Sequence, residues 1–164
     1  MLCPQGRPLE DVMLEQDEYV MALEKDDRTD RTSIIDSLHR SAQAVKSLTA
    51  ANAGDSARIM GLHPAYWLYL KNYDAVATAK SLPQPMIFLY GSRDYQVTEK
   101  DLNTWKGGMK GRSDVGFKNY SGLNHFFITG SGKSVPQEYA KSGNVAEGVI
   151  KDIARWISDG TQPK

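Results

Sequence analysis

Two residues of this chain have the type and setting for proton-transfer chemistry: Asp94, in Gly91-Ser-Arg-Asp-Tyr, and His125, in Gly122-Leu-Asn-His. A carboxylate beside an imidazole fixes its tautomer and stabilises the imidazolium, which readies the other ring nitrogen as a base. Taken singly, each residue has a bland reading, Asp94 as a turn former and His125 as a structural ring. Each follows a short apolar run, residues 86–90 and 115–120, and it is the relation between these runs that makes a pair of them.

Residues 86–90 form a continuous apolar stretch, the pattern of a strand buried on both faces. Thr98 with Asp101 three residues on has the form of a capping box, which predicts a helix through Leu102 and Trp105 to about Met109. Gly107, Gly108 and Gly111 close it, and a second strand follows at 115–120. Strand, helix, strand in this span is a βαβ unit with two parallel neighbouring strands. Ligands in open α/β sheets sit beyond the carboxyl ends of the strands, where Asp94 and His125 both fall.

The flanking segments read as helices. Leu9, Val12, Met13, Val20 and Leu23 keep a helical spacing after Pro8, and Ile34, Ile35, Leu38, Ala42, Val45 and Leu48 draw a second stripe. The charged run 24–31 separates them. The aromatic-rich residues 61–70 predict a short helix whose Tyr66 and Trp67 either pack in a core or wall a pocket. Asp74 suits the start of a helix at 75–80, and Pro83 and Pro85 end it. Residues 122–143 form a long polar, glycine-rich loop, a length usually functional or mobile. Asn144 and Glu147 repeat the capping pattern before an amphipathic helix carrying Val145, Val149, Ile150, Ile153, Trp156 and Ile157, and the tail from Asp159 is expected to fray.

The chain has 164 residues, enough for one domain, with 20 basic and 20 acidic side chains. That balance offers no electrostatic footprint for nucleic acid or an anionic membrane. A single cysteine, Cys3, excludes an internal disulfide framework and a cysteine-based zinc site. No apolar stretch reaches the roughly 18 residues of a membrane span, and the first residues lack a signal peptide's basic start and apolar centre, so a cytoplasmic chain is expected. His39 and His63 have no partners at ligand spacing. Gly130-Ser-Gly-Lys133-Ser134 resembles a phosphate loop but has Phe127 where the motif needs glycine. No cofactor and no metal are expected.

The run from Pro85 through Gly91-Ser-Arg-Asp94-Tyr-Gln-Val97, then Tyr120-Ser-Gly-Leu-Asn-His125-Phe-Phe and a helix ending Ile153-Ala-Arg-Trp156-Ile, resembles the C-terminal part of a bacterial α/β-hydrolase of the esterase and dienelactone-hydrolase-like branch. Gly6-Arg-Pro-Leu-Glu-Asp and Pro64-Ala-Tyr-Trp-Leu68 are similar to segments these enzymes place as cap helices. The resemblance implies a partial α/β-hydrolase fold: a small parallel sheet of two or three strands flanked by helices at 85–158, with an N-terminal helical cap layer at about 8–82. It implies Asp94 as triad acid, His125 as base, Tyr66, Trp67 and Tyr95 as substrate-binding residues, and a small-molecule ester as substrate.

The chain departs from that pattern at the nucleophile, and it also lacks the Gly-rich oxyanion loop and the first strands of such enzymes. Such hydrolases carry a serine nucleophile in a Gly-x-Ser-x-Gly elbow ahead of the acid and base, and no such elbow occurs here. Ser92 and Ser121 read as turn serines, and Cys3 stands near a possible strand end. A His-Asp dyad activating water, or a catalytically silent half-domain that assembles or binds ligand, are the two readings this leaves. A strand taken from a larger sheet predicts an exposed apolar edge along 86–90, and hence a homo-oligomer.

Overall fold

A computed structural model describes residues 1–23, 30–54 and 58–160. Most of the charged run at 24–31 and the end of the tail lie outside them. The chain divides into two compact units, one of residues 7–75 and one of residues 1–6 with 76–164.

The first unit is helical. Helix α1 (Leu9–Leu23) packs on α2 (Arg31–Lys46), and α3 (Pro64–Lys71) closes the unit. The predicted stripes meet here: Val45, Leu48 and Trp67 form a buried cluster with Leu9, Met13, Ile59, Leu62, Leu68 and Leu70 against it. Trp67 is wholly enclosed, and its indole N–H donates to the Ile59 carbonyl at 2.8 Å, which satisfies its one polar atom. Lys71 donates to the Lys46 and Leu48 carbonyls at 2.9 and 2.7 Å, filling acceptors that the end of α2 leaves open. His63 caps α3 through Nδ1, which accepts from Ala65 N, and His39 pairs with Glu18 at 2.7 Å.

In the second unit α4 (Ala75–Ser81) leads into strand β1 (Met86–Gly91), then α5 (Glu99–Gly108) and strand β2 (Val115–Tyr120). The strands pair in parallel, Met86 opposite Val115 through Gly91 opposite Tyr120. All six residues of β1 are buried, as a continuous apolar run requires. Phe88 stacks on Phe117 at 5.0 Å and meets Trp105 of α5 at 4.8 Å. The Arg112 guanidinium donates to the carbonyls of Ala79, Leu82 and Gln84 and to Asp114, tying the end of α4 to the starts of both strands. A 3-10 turn (Pro136–Ala140) and helix α6 (Glu147–Asp159) complete the unit.

Four expectations need correction. The β1 edge is covered: Leu2 bridges Leu89 in parallel, Cys3 N donates to Leu89 O, and Leu89 N donates to Met1 O. Pro4 O then takes hydrogen bonds from Tyr90 Oη at 2.6 Å and Trp105 Nε1 at 2.9 Å, so the first residues are anchored and the open edge is their own, with Leu2 exposed. Thr98 and Asp101 make no capping box; the Thr98 hydroxyl is buried without a partner among the described residues, and Asp101 accepts from Gly6 N at 3.0 Å instead. Helix α6 starts two residues later than predicted, with Ala146 as its cap in place of Asn144. Its apolar residues also divide: Val149 is buried while Ile150 and Ile157 face solvent, and Asp152 is buried too, bonded to Lys118 at 2.7 Å and Tyr120 at 2.8 Å.

Candidate active site

Strand β1 ends at Gly91, which must be glycine: a Cβ there would collide with the carbonyl oxygens of Leu123 and Asn124, which cross behind it. The chain turns at once, with Asp94 N donating to Gly91 O. Asp94 Oδ1 accepts from Gln96 N at 2.8 Å and Val97 N at 3.0 Å, a local turn that fixes the carboxylate. Its other oxygen, Oδ2, lies 2.8 Å from His125 Nδ1. A carboxylate only accepts, so Nδ1 donates and Nε2 is left as the basic nitrogen. The acid's side chain is fully buried and the imidazole is 24 % exposed. The structure thus brings together the two residues singled out as acid and base.

The loop holding His125 is ordered by its own hydrogen bonds. Asn124 is buried, and its Oδ1 accepts from Phe126 N at 3.0 Å and Ile128 N at 3.1 Å, wrapping the backbone around His125. Phe127 adopts a left-handed backbone with φ 57°, rare for a residue with a Cβ. Ser92 Oγ accepts from Gly122 N, a structural tie, and Ser121 is exposed.

Cys3 proves to be a neighbour of the pair, which sequence alone could not show. Its thiol donates to the His125 carbonyl at 3.7 Å, and donor atoms of Cys3, Asp94 and His125 lie within 4.8 Å of one another. Burial, then the charge of Asp94, pushes the thiol well above its ordinary range, which favours the protonated, weakly nucleophilic form. The three groups have the chemistry to hold a thiophilic cation. Ligands on one tetrahedral zinc sit roughly 3.3 Å apart, however, so an ion held through Nδ1 and Oδ2 would have to break their 2.8 Å bond. The geometry favours a hydrogen-bonded dyad.

Of the predicted substrate-binding residues, Tyr95 lies beside the site. It is buried and faces Tyr139 at 6.1 Å; Tyr139 in turn meets Phe126 edge-on at 4.7 Å, and Phe126 lies 5.8 Å from the His125 ring. Phe126 and Tyr139 were missed from sequence. Tyr66 is exposed on α3, and Trp67 is the enclosed core residue of the helical unit.

Fold and site together define a small parallel two-stranded sheet with flanking helices, carrying a carboxylate–imidazole pair at its carboxyl end. No family model and no solved structure matches the chain. It is similar to Esterase EstD of Thermotoga maritima, 37 % identical over 157 residues, which is 96 % of this chain and 36 % of that protein. The chain therefore spans about a third of the length of this curated relative. No helix among the described residues is long and apolar enough to cross a membrane.

Proposed function

We propose that the chain is the C-terminal portion of an α/β-hydrolase and carries the acid and base of a carboxylic ester hydrolase site. His125 is the general base and Asp94 its orienting partner. The observation that carries this reading is the 2.8 Å contact between a buried carboxylate and a partly exposed imidazole. Likeness to a protein named an esterase supports a small-molecule ester as the substrate class.

With no serine elbow in the sequence, the chain by itself works through water. His125 Nε2 takes a proton as the water oxygen bonds to the ester carbonyl carbon; the same proton passes to the departing alkoxide, releasing an acid and an alcohol. Asp94 stabilises the imidazolium between these transfers. Activity is weak by this route, since what survives the loss of a triad member comes chiefly from the oxyanion hole and substrate binding, and the sequence shows no Gly-rich oxyanion loop. Tyr95, with Phe126 and Tyr139, offers an apolar wall beside the imidazole.

Hydrolysis of p-nitrophenyl acetate tests the reading. His125→Ala and Asp94→Ala are each expected to lower the rate at least tenfold, and a rate unchanged by both removes it in favour of a silent assembly or binding domain. Mass spectrometry after a fluorophosphonate probe is expected to find no adduct; one on Ser92 or Ser121 replaces water with that serine.

A further inference from the structure

We infer that Glu138 is a positioning residue for the Asp94–His125 pair, acting through Arg93 and Asn124; this rests on the reading of that pair as a working dyad. The base lies in a loop with neither strand nor α-helix at its own position. The Nδ1–Oδ2 bond therefore requires something to fix the separation of two turns, the one after β1 and the one after β2.

Glu138, in the 3-10 turn, spans both. Its Oε1 accepts from Arg93 Nη2 at 2.5 Å, and its Oε2 accepts from Asn124 Nδ2 at 3.3 Å and from Ser134 Oγ at 3.2 Å. Arg93 immediately precedes the acid, and Asn124 immediately precedes the base. One carboxylate thus joins the chain neighbours of both reacting groups. Both donors are well covered: the Arg93 side chain is 8 % exposed and Asn124 1 %. Arg93 also binds the loop from below, donating to Gly132 O at 2.9 Å and Ser131 O at 3.2 Å, while its backbone N–H donates to Leu123 O. Gly130 lies against the guanidinium so closely that a Cβ would overlap it.

Charge makes this joint stiffer than a neutral one. Hydrogen bonds with an ionised partner are shorter and roughly twice as strong as neutral ones, and the Arg93–Glu138 contact is of that kind. Without the carboxylate, Asn124 loses the partner of its amide donors, and the loop that Asn124 Oδ1 organises around His125 loses its anchor. Catalytic geometry tolerates little such slack, since a shift of about 1 Å costs on the order of a hundredfold in rate.

The test reads the dyad directly, without turnover. In the full chain, the His125 Nδ1 proton is followed by nitrogen-15 NMR of the imidazole. Its exchange with water is expected to be slow in the unsubstituted chain and fast in Asp94→Asn; no Asp94-dependent protection means the dyad itself is absent, and the inference falls with it. Glu138→Ala is expected to speed exchange at least tenfold with the amide spectrum of β1 and β2 retained, and to add nothing in the Asp94→Asn background. Ser134→Ala, which leaves Arg93 and Asn124 bonded, is expected to change exchange less than twofold. If Glu138→Ala unfolds the chain, Glu138→Gln, which keeps the shape but lacks one acceptor, is read instead. A folded Glu138 variant whose Nδ1 proton exchanges within twofold of the unsubstituted chain overturns the inference. Lack of ester hydrolysis with the proton protected and Glu138-dependent counts against the proposed function alone.

Discussion

At the level of single residues, the pairing of Asp94 with His125 was legible because each ends an apolar run in a turn-forming sequence, Gly-Ser-Arg-Asp and Gly-Leu-Asn-His. Cys3 and Glu138 were not. Cys3 reaches the His125 carbonyl across 122 positions and Glu138 reaches Arg93 across 45, and no local pattern records a contact that only the folded chain makes. Glu138 leaves a solution signature. Burial tends to raise its carboxyl, but the hydrogen bonds from Arg93 and Asn124 prevail and hold it below its ordinary value of 4.5. A group lowered by folding stabilises the native state at pH above that ordinary value, and the contribution fades as pH falls through the folded one. Glu138→Gln is therefore expected to cost about 1–3 kcal/mol at pH 7, with the difference shrinking as pH falls below 4.5, as checked by urea unfolding across that range.

Elements were easier to read than their ends. Periodicity located α1, α2 and both strands because apolar side chains facing a core leave a regular trace, and the parallel pairing of β1 with β2 follows from two short runs joined by one helix. Caps fared worse, since a Thr-x-x-Asp pattern has other partners available. Asp101 serves the backbone of Gly6, and the Thr98 hydroxyl is buried with no partner among the described residues. Thr98→Val separates these readings. A working N-cap would lose about 1 kcal/mol on replacement, whereas removing a buried orphan hydroxyl is expected to be neutral or stabilising by up to about 1 kcal/mol. Thermal unfolding of the variant gives the sign. Helix α6 shows the same limit: hydrophobic spacing alone did not reveal that Asp152 would be buried against Lys118 and Tyr120 while Ile150 and Ile157 face outward.

For the whole molecule, the first residues lie along the sheet edge that the sequence reading left bare. Leu2 of this outer segment is exposed, edge strands invite pairing with another chain, and we propose that two copies associate along it. Light scattering over a dilution series is expected to show a dimer dissociating at low concentration; a compact monomer throughout rejects the proposal. The placement of residues 1–6 also bears on how the chain folds. They belong to the sheet unit, yet about 70 residues, 7–75, intervene before the rest of it. Closing a loop of that size costs about 4 kcal/mol of chain entropy beyond a constant, and the bonds from Cys3 to Leu89 and from Tyr90 and Trp105 to Pro4 form only once it is closed. Folding of the intervening helices first shortens that search. Until it ends β1 is paired on one side only, so in pulsed hydrogen exchange the Leu89 amide, which donates to Met1, should gain protection later than its strand neighbours, and that interval is when the chain is most open to aggregation.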